Sequence, residues 1–308
     1  MQVTACTSTV KQSAGFHVQP VHPFGALAKL ALIAEAELTP KPGLVDRRGS
    51  GAHHDLSLDL MRRSAETLEP HFSQMAFLSA RRKLGTGLRA DLASVGRDAE
   101  RAMYSSTGGS NAHKGAIWIL GLLVAAAAHK HHQTAREVAE VAGAIARLPD
   151  HAQPALVTHG DIVRCRYGVA GARGEAANNF PHVLEFGLPM LRKQRASGDS
   201  EEVSRLDALL NIMSSLDDTC VLYRGGADAL AKVKAGAKAV LLAGGCSHAN
   251  GRKKLEKLDR ALVASHISPG GSADLLAATI FLDGLESLQW DAREGSRAKE
   301  KEAENGAA

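Results

Sequence analysis

The sequence predicts an all-α protein, a single compact multi-helix domain with glycine-rich polar loops forming the site. Two observations predict it. Apolar residues recur at helical spacing in nearly every segment, and no alternating run of five or more residues reads as a strand. No βαβ spacing and no fixed-period repeat is present, and 308 residues at 44% hydrophobic content suffice for one large core.

The elements follow in order. "FGALAKLALIAEAEL" (24–38) is a helix that Thr39-Pro40 must end, because the residue before a proline is pushed out of helical backbone. "DLSLDLMRRSAETLEPHFSQMAFLSARR" (55–82) is expected to open on Asp55, with Asp59 one turn later on the same face. "DLASVGRDAERAMY" continues the pattern, and "HKGAIWILGLLVAAAAHK" (113–130) is the central apolar helix. Helices follow at 134–148, 182–194, 200–216, 227–243, 251–265 and 272–287, about ten in all. They form a domain over 21–291, flanked by a polar, mobile N-terminal segment (1–20) and a disordered charged tail (292–308).

Composition bounds the function. A formal net charge of +4 suits phosphorylated substrates without demanding them, and 4% aromatics argue against base stacking, so no nucleic-acid partner is expected. The four cysteines form no CxxC, which argues against a thiolate zinc site and for a reduced, cytoplasmic setting. The N-terminus has no signal-peptide pattern, and the run "AIWILGLLVAAAA" is too short to span a bilayer, so no membrane partner is expected. "GTGLRA" (85–90) lacks the preceding strand of a dinucleotide site, and "HKHH" (129–132) reads as a solvated helix end.

Chemistry is concentrated in the joints. Five polar, glycine-rich stretches interrupt the helices: "TPKPGLVDRRGSGAHHD" (39–55), "SSTGGSNAHKG" (105–115), "THGDIVRCRYGVAGARGEA" (158–176), "LDDTCVLYRGG" (216–226) and "SPGGSAD" (268–274). Glycine admits close backbone approach, helix N-termini attract anions, and Lys and Arg complete a polyphosphate cradle. Acidic groups can hold Mg²⁺ or move protons. The combination predicts a nucleotide polyphosphate pocket on helix ends. Within it, Asp217-Asp218 is an adjacent acidic pair where a helix C-terminus disfavours negative charge. His113-Lys114 places a cation at the wrong end of the most apolar helix. Ser268-Pro269 reads as a helix start with serine as the cap.

Together the stretches "EAELTPKPGLVDRRGSGAHHDLSL", "TGGSNAHKGAIWILGLL", "GARGEAANNFP", "DDTCVLYRGG" and "SPGGSADLLAATIFLD" resemble, in content and order over about residues 25–290, the triphosphoribosyl-dephospho-CoA synthases. The central and final stretches are most similar to the branch serving malonate decarboxylase; a version serving citrate lyase is the alternative. Ser110 and Ala112 depart from the pattern, where a larger apolar residue and a threonine are expected. No fused carrier-protein transferase domain is expected.

The resemblance implies an all-α fold and one reaction. ATP and 3′-dephospho-CoA give 2′-(5″-triphosphoribosyl)-3′-dephospho-CoA and adenine, and a separate transferase passes the product to the acyl carrier subunit of the decarboxylase. An oxocarbenium-like transition state then distributes the roles. Asp218 or Asp55 takes the hydroxyl proton, and His53 protonates the departing base. Lys41, His113, Lys114, Arg173 and Arg224, with Gly108 and Gly109, hold the triphosphate. Asp46, Arg47, Gly225, Gly226, Ser268, Gly270 and Gly271 complete the substrate walls. Mg²⁺ is the expected cofactor, held through some of Asp55, Asp59, Glu175, Asp217 and Asp274. Replacing Lys41 or Asp218 with alanine is expected to abolish turnover and spare the fold. A Mg²⁺-dependent helical nucleotide hydrolase, suggested by Asp217-Asp218-Thr219, and a non-catalytic binding module are the competing classes; release of free adenine separates them.

Overall fold

The computed structural model describes residues 20–129, 134–150 and 158–305, with side chains as far as residue 288. The expected N-terminal segment lies almost wholly outside the described residues, as do all but His129 of "HKHH" and the side chains of the expected tail. Among the described residues there is no strand, only one isolated bridge between Asp46 and Gly49. No described helix is long and apolar enough to cross a membrane.

Twelve α-helices are present among the described residues: α1 Pro23–Glu37, α2 Leu58–Arg81, α3 Thr86–Ser106, α4 Lys114–His129, α5 Ala135–Arg147, α6 His159–Tyr167, α7 Gly171–Ala177, α8 Leu188–Ala196, α9 Glu201–Ser215, α10 Thr219–Leu242, α11 Ala249–Ala264 and α12 Gly270–Asn305. A π-helical turn, His182–Gly187, leads into α8, and Gly187 lies so close to α12 that a Cβ there would fall 2.3 Å from Thr279 Oγ1.

α4 is the axis of the domain. Its residues from Ala116 to Ala128 are buried except Trp118, and α1, α2, α3, α5 and α12 pack around it. An all-round apolar helix has no solvent face to lose, so burial on every side is its stable placement. The N-terminus of α4 is therefore carried deep into the protein, together with His113, which is buried at 3% exposure.

Several boundaries depart from the expectations, the first three for a capping reason. α2 starts at Leu58, because Ser57 Oγ accepts Leu60 N at 3.3 Å; Asp55 stands outside the helix at 62% side-chain exposure. The stretch 216–226 is mostly the first turns of α10, because Asp218 is its N-cap, and Gly226 (φ 70°, ψ −167°) breaks that helix. The stretch 158–176 holds α6, opened by a Thr158–Asp161 capping box and closed by left-handed Gly168, and most of α7. Ser268 is not spent on capping α12: its hydroxyl meets His53 Nε2 at 2.8 Å. α12 runs on to Asn305, through residues expected to be disordered.

Candidate functional site

The loop 39–57 leaves α1 and turns back on a buried ion pair. Lys41 (1% exposed) points inward, and its Nζ lies 2.5 Å from Oε1 of Glu35 on α1 (3%). Asp46, also buried, accepts Lys41 N at 2.9 Å and Arg48 N at 2.7 Å, and pairs with the Arg48 guanidinium at 2.7 Å. Arg48 then reaches Asp259 of α11 at 2.8 Å, and the other oxygen of Asp259 accepts Gly43 N at 2.9 Å. Gly43 has φ +71°, and a Cβ there would stand 2.5 Å from the Ile267 carbonyl, so only glycine fits this clamp. Arg47 points away and pairs with Glu37 at 3.3 Å, half exposed.

Three helix N-termini converge on the same region. Asp218 is buried and joins two of them. Its Oδ1 accepts Cys220 N (2.9 Å) and Val221 N (3.3 Å) of α10 and Gly271 N (3.3 Å) of α12. Its Oδ2 accepts Ser272 N (2.8 Å) and Ser272 Oγ (2.9 Å). Burial raises its pKa, while these donors favour the carboxylate. Gly270 and Gly271 thus start α12 against Asp218.

Asp274, one turn into α12, faces the start of α4, where a Cβ on Gly115 would fall 2.0 Å from its Oδ2. Burial raises its pKa well above the usual range, and the charges of Glu35 and Asp218 raise it further; the Ala116 N–H opposes them. Just before α4, His113 Nδ1 meets Ser64 Oγ at 2.8 Å, and its buried Nε2 has no hydrogen-bond partner. Burial, then the charge of Lys41, lowers its pKa to about 3, so the ring is neutral at pH 7. Lys114 pairs with Glu100 at 3.0 Å.

His53 bridges loop and helix. Its Nε2 meets Ser268 Oγ (2.8 Å), and its Nδ1 lies 3.4 Å from Arg224 Nη2 and 3.8 Å from Asp55 Oδ1. Burial, then Arg224, lowers its pKa, opposed by Asp55. Gly225 follows Arg224 on α10 and packs against Ile267, where a Cβ would fall 2.5 Å from Cδ1. Gly108 and Gly109 both have positive φ and open space beside them. Ser110, one of the two departures in that loop, ties it to loop 39–57 by donating to the Asp55 carbonyl at 2.8 Å.

Loop 39–57 and the starts of α4, α10 and α12 thus form one region. Other expected residues stand elsewhere. Glu175 accepts His182 N and faces His182 Nδ1, both at 2.8 Å, a local clasp between α7 and the π-helical turn. Asp217 pairs with Lys234 at 2.5 Å on the outside of α10, and Asp59 is 84% exposed. Arg173, on α7, feels the charge of Asp161. Sequence reasoning missed Glu35, Ser64, Asp259 and Ser272. Glu35 had a signal, since it falls on the buried stripe of α1 with Ala28, Ala31 and Leu32. Asp259 had none, sitting in a charge-rich helix among ordinary surface residues.

Known proteins resemble this chain over the span that builds the site. A probable synthase from Pseudomonas paraeruginosa (strain DSM 24068 / PA7), named "Probable 2-(5''-triphosphoribosyl)-3'-dephosphocoenzyme-A synthase", is 55% identical over 261 residues, 84% of this chain and 89% of the relative. Proteins of the same name from Pseudomonas aeruginosa (strain UCBPP-PA14) and Azotobacter vinelandii (strain DJ / ATCC BAA-1303) are 54% and 52% identical, covering 85% and 86% of this chain and 90% and 92% of theirs. No solved structure gives a significant match. Residues 23–293 match the family model described as CitG: ATP:dephospho-CoA triphosphoribosyl transferase, and the chain belongs to that family.

Proposed function

We propose that the chain transfers the 5-triphosphoribosyl group of ATP to the 2′-hydroxyl of 3′-dephospho-CoA with release of adenine, and that the product is the prosthetic-group precursor for the acyl carrier subunit of malonate decarboxylase. The observation that carries the reading is the convergence of loop 39–57 with the N-termini of α4, α10 and α12, which gathers three positive dipole ends for a polyphosphate.

The residues divide by what their atoms are free to do. Asp218 has its oxygens filled by five donors, so its role is to hold α10 and α12 together at the site. Asp55 has an open carboxylate beside His53 and takes the hydroxyl proton. His53 and Ser268 orient the nucleoside. Arg224, Lys114 and the open Gly108-Gly109 turn face the phosphates.

The donor set fits Mg²⁺. Asp274 is buried and feels the negative charges of Glu35 and Asp218, which a divalent cation would relieve. Among the described residues no three His, Cys, Asp or Glu side chains form a cage, and Mg²⁺ commonly binds through one or two carboxylates plus substrate phosphates. Asp274 would hold it, and the ion would neutralise triphosphate charge.

Incubation with ATP, Mg²⁺ and 3′-dephospho-CoA tests the reading. Free adenine should appear only when both nucleotides are present. ADP or AMP with phosphate, independent of dephospho-CoA, would refute it. Deleting the coding sequence should leave the malonate decarboxylase carrier subunit without its prosthetic group; an unaffected carrier would sink the pathway assignment.

A further inference from the structure

The start of α4 holds buried N–H donors without acceptors. His113, directly before the helix, is buried at 3% exposure, with Nδ1 2.8 Å from Ser64 Oγ of α2. Ser64 is fully buried, and among the described residues that ring nitrogen is the only partner of its hydroxyl. A buried hydroxyl proton needs an acceptor, so Ser64 donates to Nδ1, and Nδ1 carries no proton. Burial, then the charge of Lys41, keeps the ring neutral. A neutral ring with a bare Nδ1 has its proton on Nε2. Nε2 is itself buried and without a partner, so its N–H is a donor that nothing in the described chain answers.

Lys41 repeats the deficit. Its ammonium carries three N–H groups, and among the described residues only Glu35 Oε1 accepts from it. Its charge reaches His113, so these donors share one neighbourhood. Buried donors are rarely left open, because the water they lose is not replaced. What they lack is an oxygen with free lone pairs. The positive end of α4 and the Lys41 ammonium select an anionic oxygen over a hydroxyl. A second cation here would meet the repulsion of Lys41, whereas a neutral N–H adds direction without charge. The Gly108-Gly109 turn, exposed and with open space beside it, belongs to the loop that delivers His113.

We propose that Ser64 locks His113 in the Nε2–H tautomer, and that this uncharged donor, beside Lys41, takes a phosphate oxygen of the ATP triphosphate at the start of α4. Ser64 is then a positioning residue that acts through the ring. The inference rests on the reading that this chain uses ATP, and its test reads the ring rather than the reaction.

Nitrogen-15 NMR of the imidazole rings in the full chain tests both parts. The resonances missing from His113→Gln identify His113 among the 14 histidines. Nδ1 should fall in the range of a bare ring nitrogen and Nε2 in that of a protonated one. Ser64→Ala should move the two toward each other as the tautomers mix. Magnesium tripolyphosphate should shift the Nε2–H signal saturably, and adenosine should not. By calorimetry, His113→Leu should weaken tripolyphosphate binding about tenfold or more, whereas His113→Gln, which keeps an N–H donor, should stay within about threefold of the parent. The ring spectra use the parent and Ser64→Ala, so they decide even if His113→Leu does not fold. A proton on Nδ1 in the parent, or unchanged resonances in Ser64→Ala, overturns the lock. An Nε2 signal that tripolyphosphate leaves unmoved, as for a donor answered by a buried water, overturns the phosphate contact, as does a shift with adenosine alone or parental affinity in His113→Leu. A ring that responds in a protein releasing no adenine would retract the proposed reaction alone, and turnover with an unresponsive ring would retract the contact alone.

Discussion

Lys41 and Glu35 give the sharpest test of how the site is built. Both are buried, their charged atoms are 2.5 Å apart, and the pair fastens loop 39–57 to α1. Replacing Glu35 with Gln leaves an ammonium without its counter-charge in a dry environment. Breaking a buried pair in this way costs about 3–5 kcal/mol, a large share of the roughly 5–15 kcal/mol that holds a domain folded. Lys41→Met should cost a similar amount. The double variant Glu35→Gln, Lys41→Met removes both charges and should recover most of the loss, because a buried pair is often matched by apolar groups of similar volume. Urea titration followed by far-UV circular dichroism measures all four proteins, and the cycle gives the coupling. If either single variant loses less than about 1 kcal/mol, or the double variant is as unstable as the two losses summed, the pair does not hold the loop. The sequence-based expectation that Lys41→Ala spares the fold is replaced by this one. The double variant also separates roles: if it is stable and still releases adenine, Lys41 is structural; if it is stable and inactive, substrate needs the ammonium.

Four further outcomes follow from the same geometry. Asp55→Asn should reduce adenine release about 10²- to 10⁴-fold with unchanged stability, since Asp55 is exposed; near-parental turnover removes it as proton acceptor. Asp218→Ala should instead lower stability by several kcal/mol, since four backbone N–H groups and a hydroxyl lose their acceptor; a stable but inactive variant would point back to a chemical role. Burial of neutral His113 adds an acid limb. The unfolded chain takes up this proton below its ordinary pKa of 6.5, while the folded protein resists until about 3, so stability present above pH 6.5 is lost as pH falls. Between pH 6.5 and 5 that is roughly 2 kcal/mol, at about 1.4 kcal/mol per pH unit. His113→Gln should flatten this part of the urea-midpoint profile, and an identical slope would show that the ring titrates normally. Finally, Asp259→Ala should lower kcat/KM about tenfold by releasing Gly43 and Arg48, with Asp259→Asn recovering part through the Gly43 bond; equal loss in both variants would contradict the clamp.

The sequence by itself determined the helical class and the long apolar helices, because such a helix is written in local spacing, but not α6, α7 or the first turns of α10, which lie in stretches whose glycines and charges read as joints. The all-round apolar run at 116–128 could only be central, and Thr39-Pro40 could only end α1. It also marked four stretches that meet, since glycine, proline and charge gather where helices stop, while the fifth, 158–176, stands elsewhere. What it did not determine was which charge in each stretch turns inward. Lys41 and Arg47 look alike in the chain, yet one is buried on Glu35 and the other is half exposed. Asp217 and Asp218 are neighbours, yet one faces Lys234 outside and the other joins two helix starts. Those choices depend on partners 53 residues away for Asp218 and 216 for the Asp259 clamp, and only the packed helices bring them within reach of a hydrogen bond.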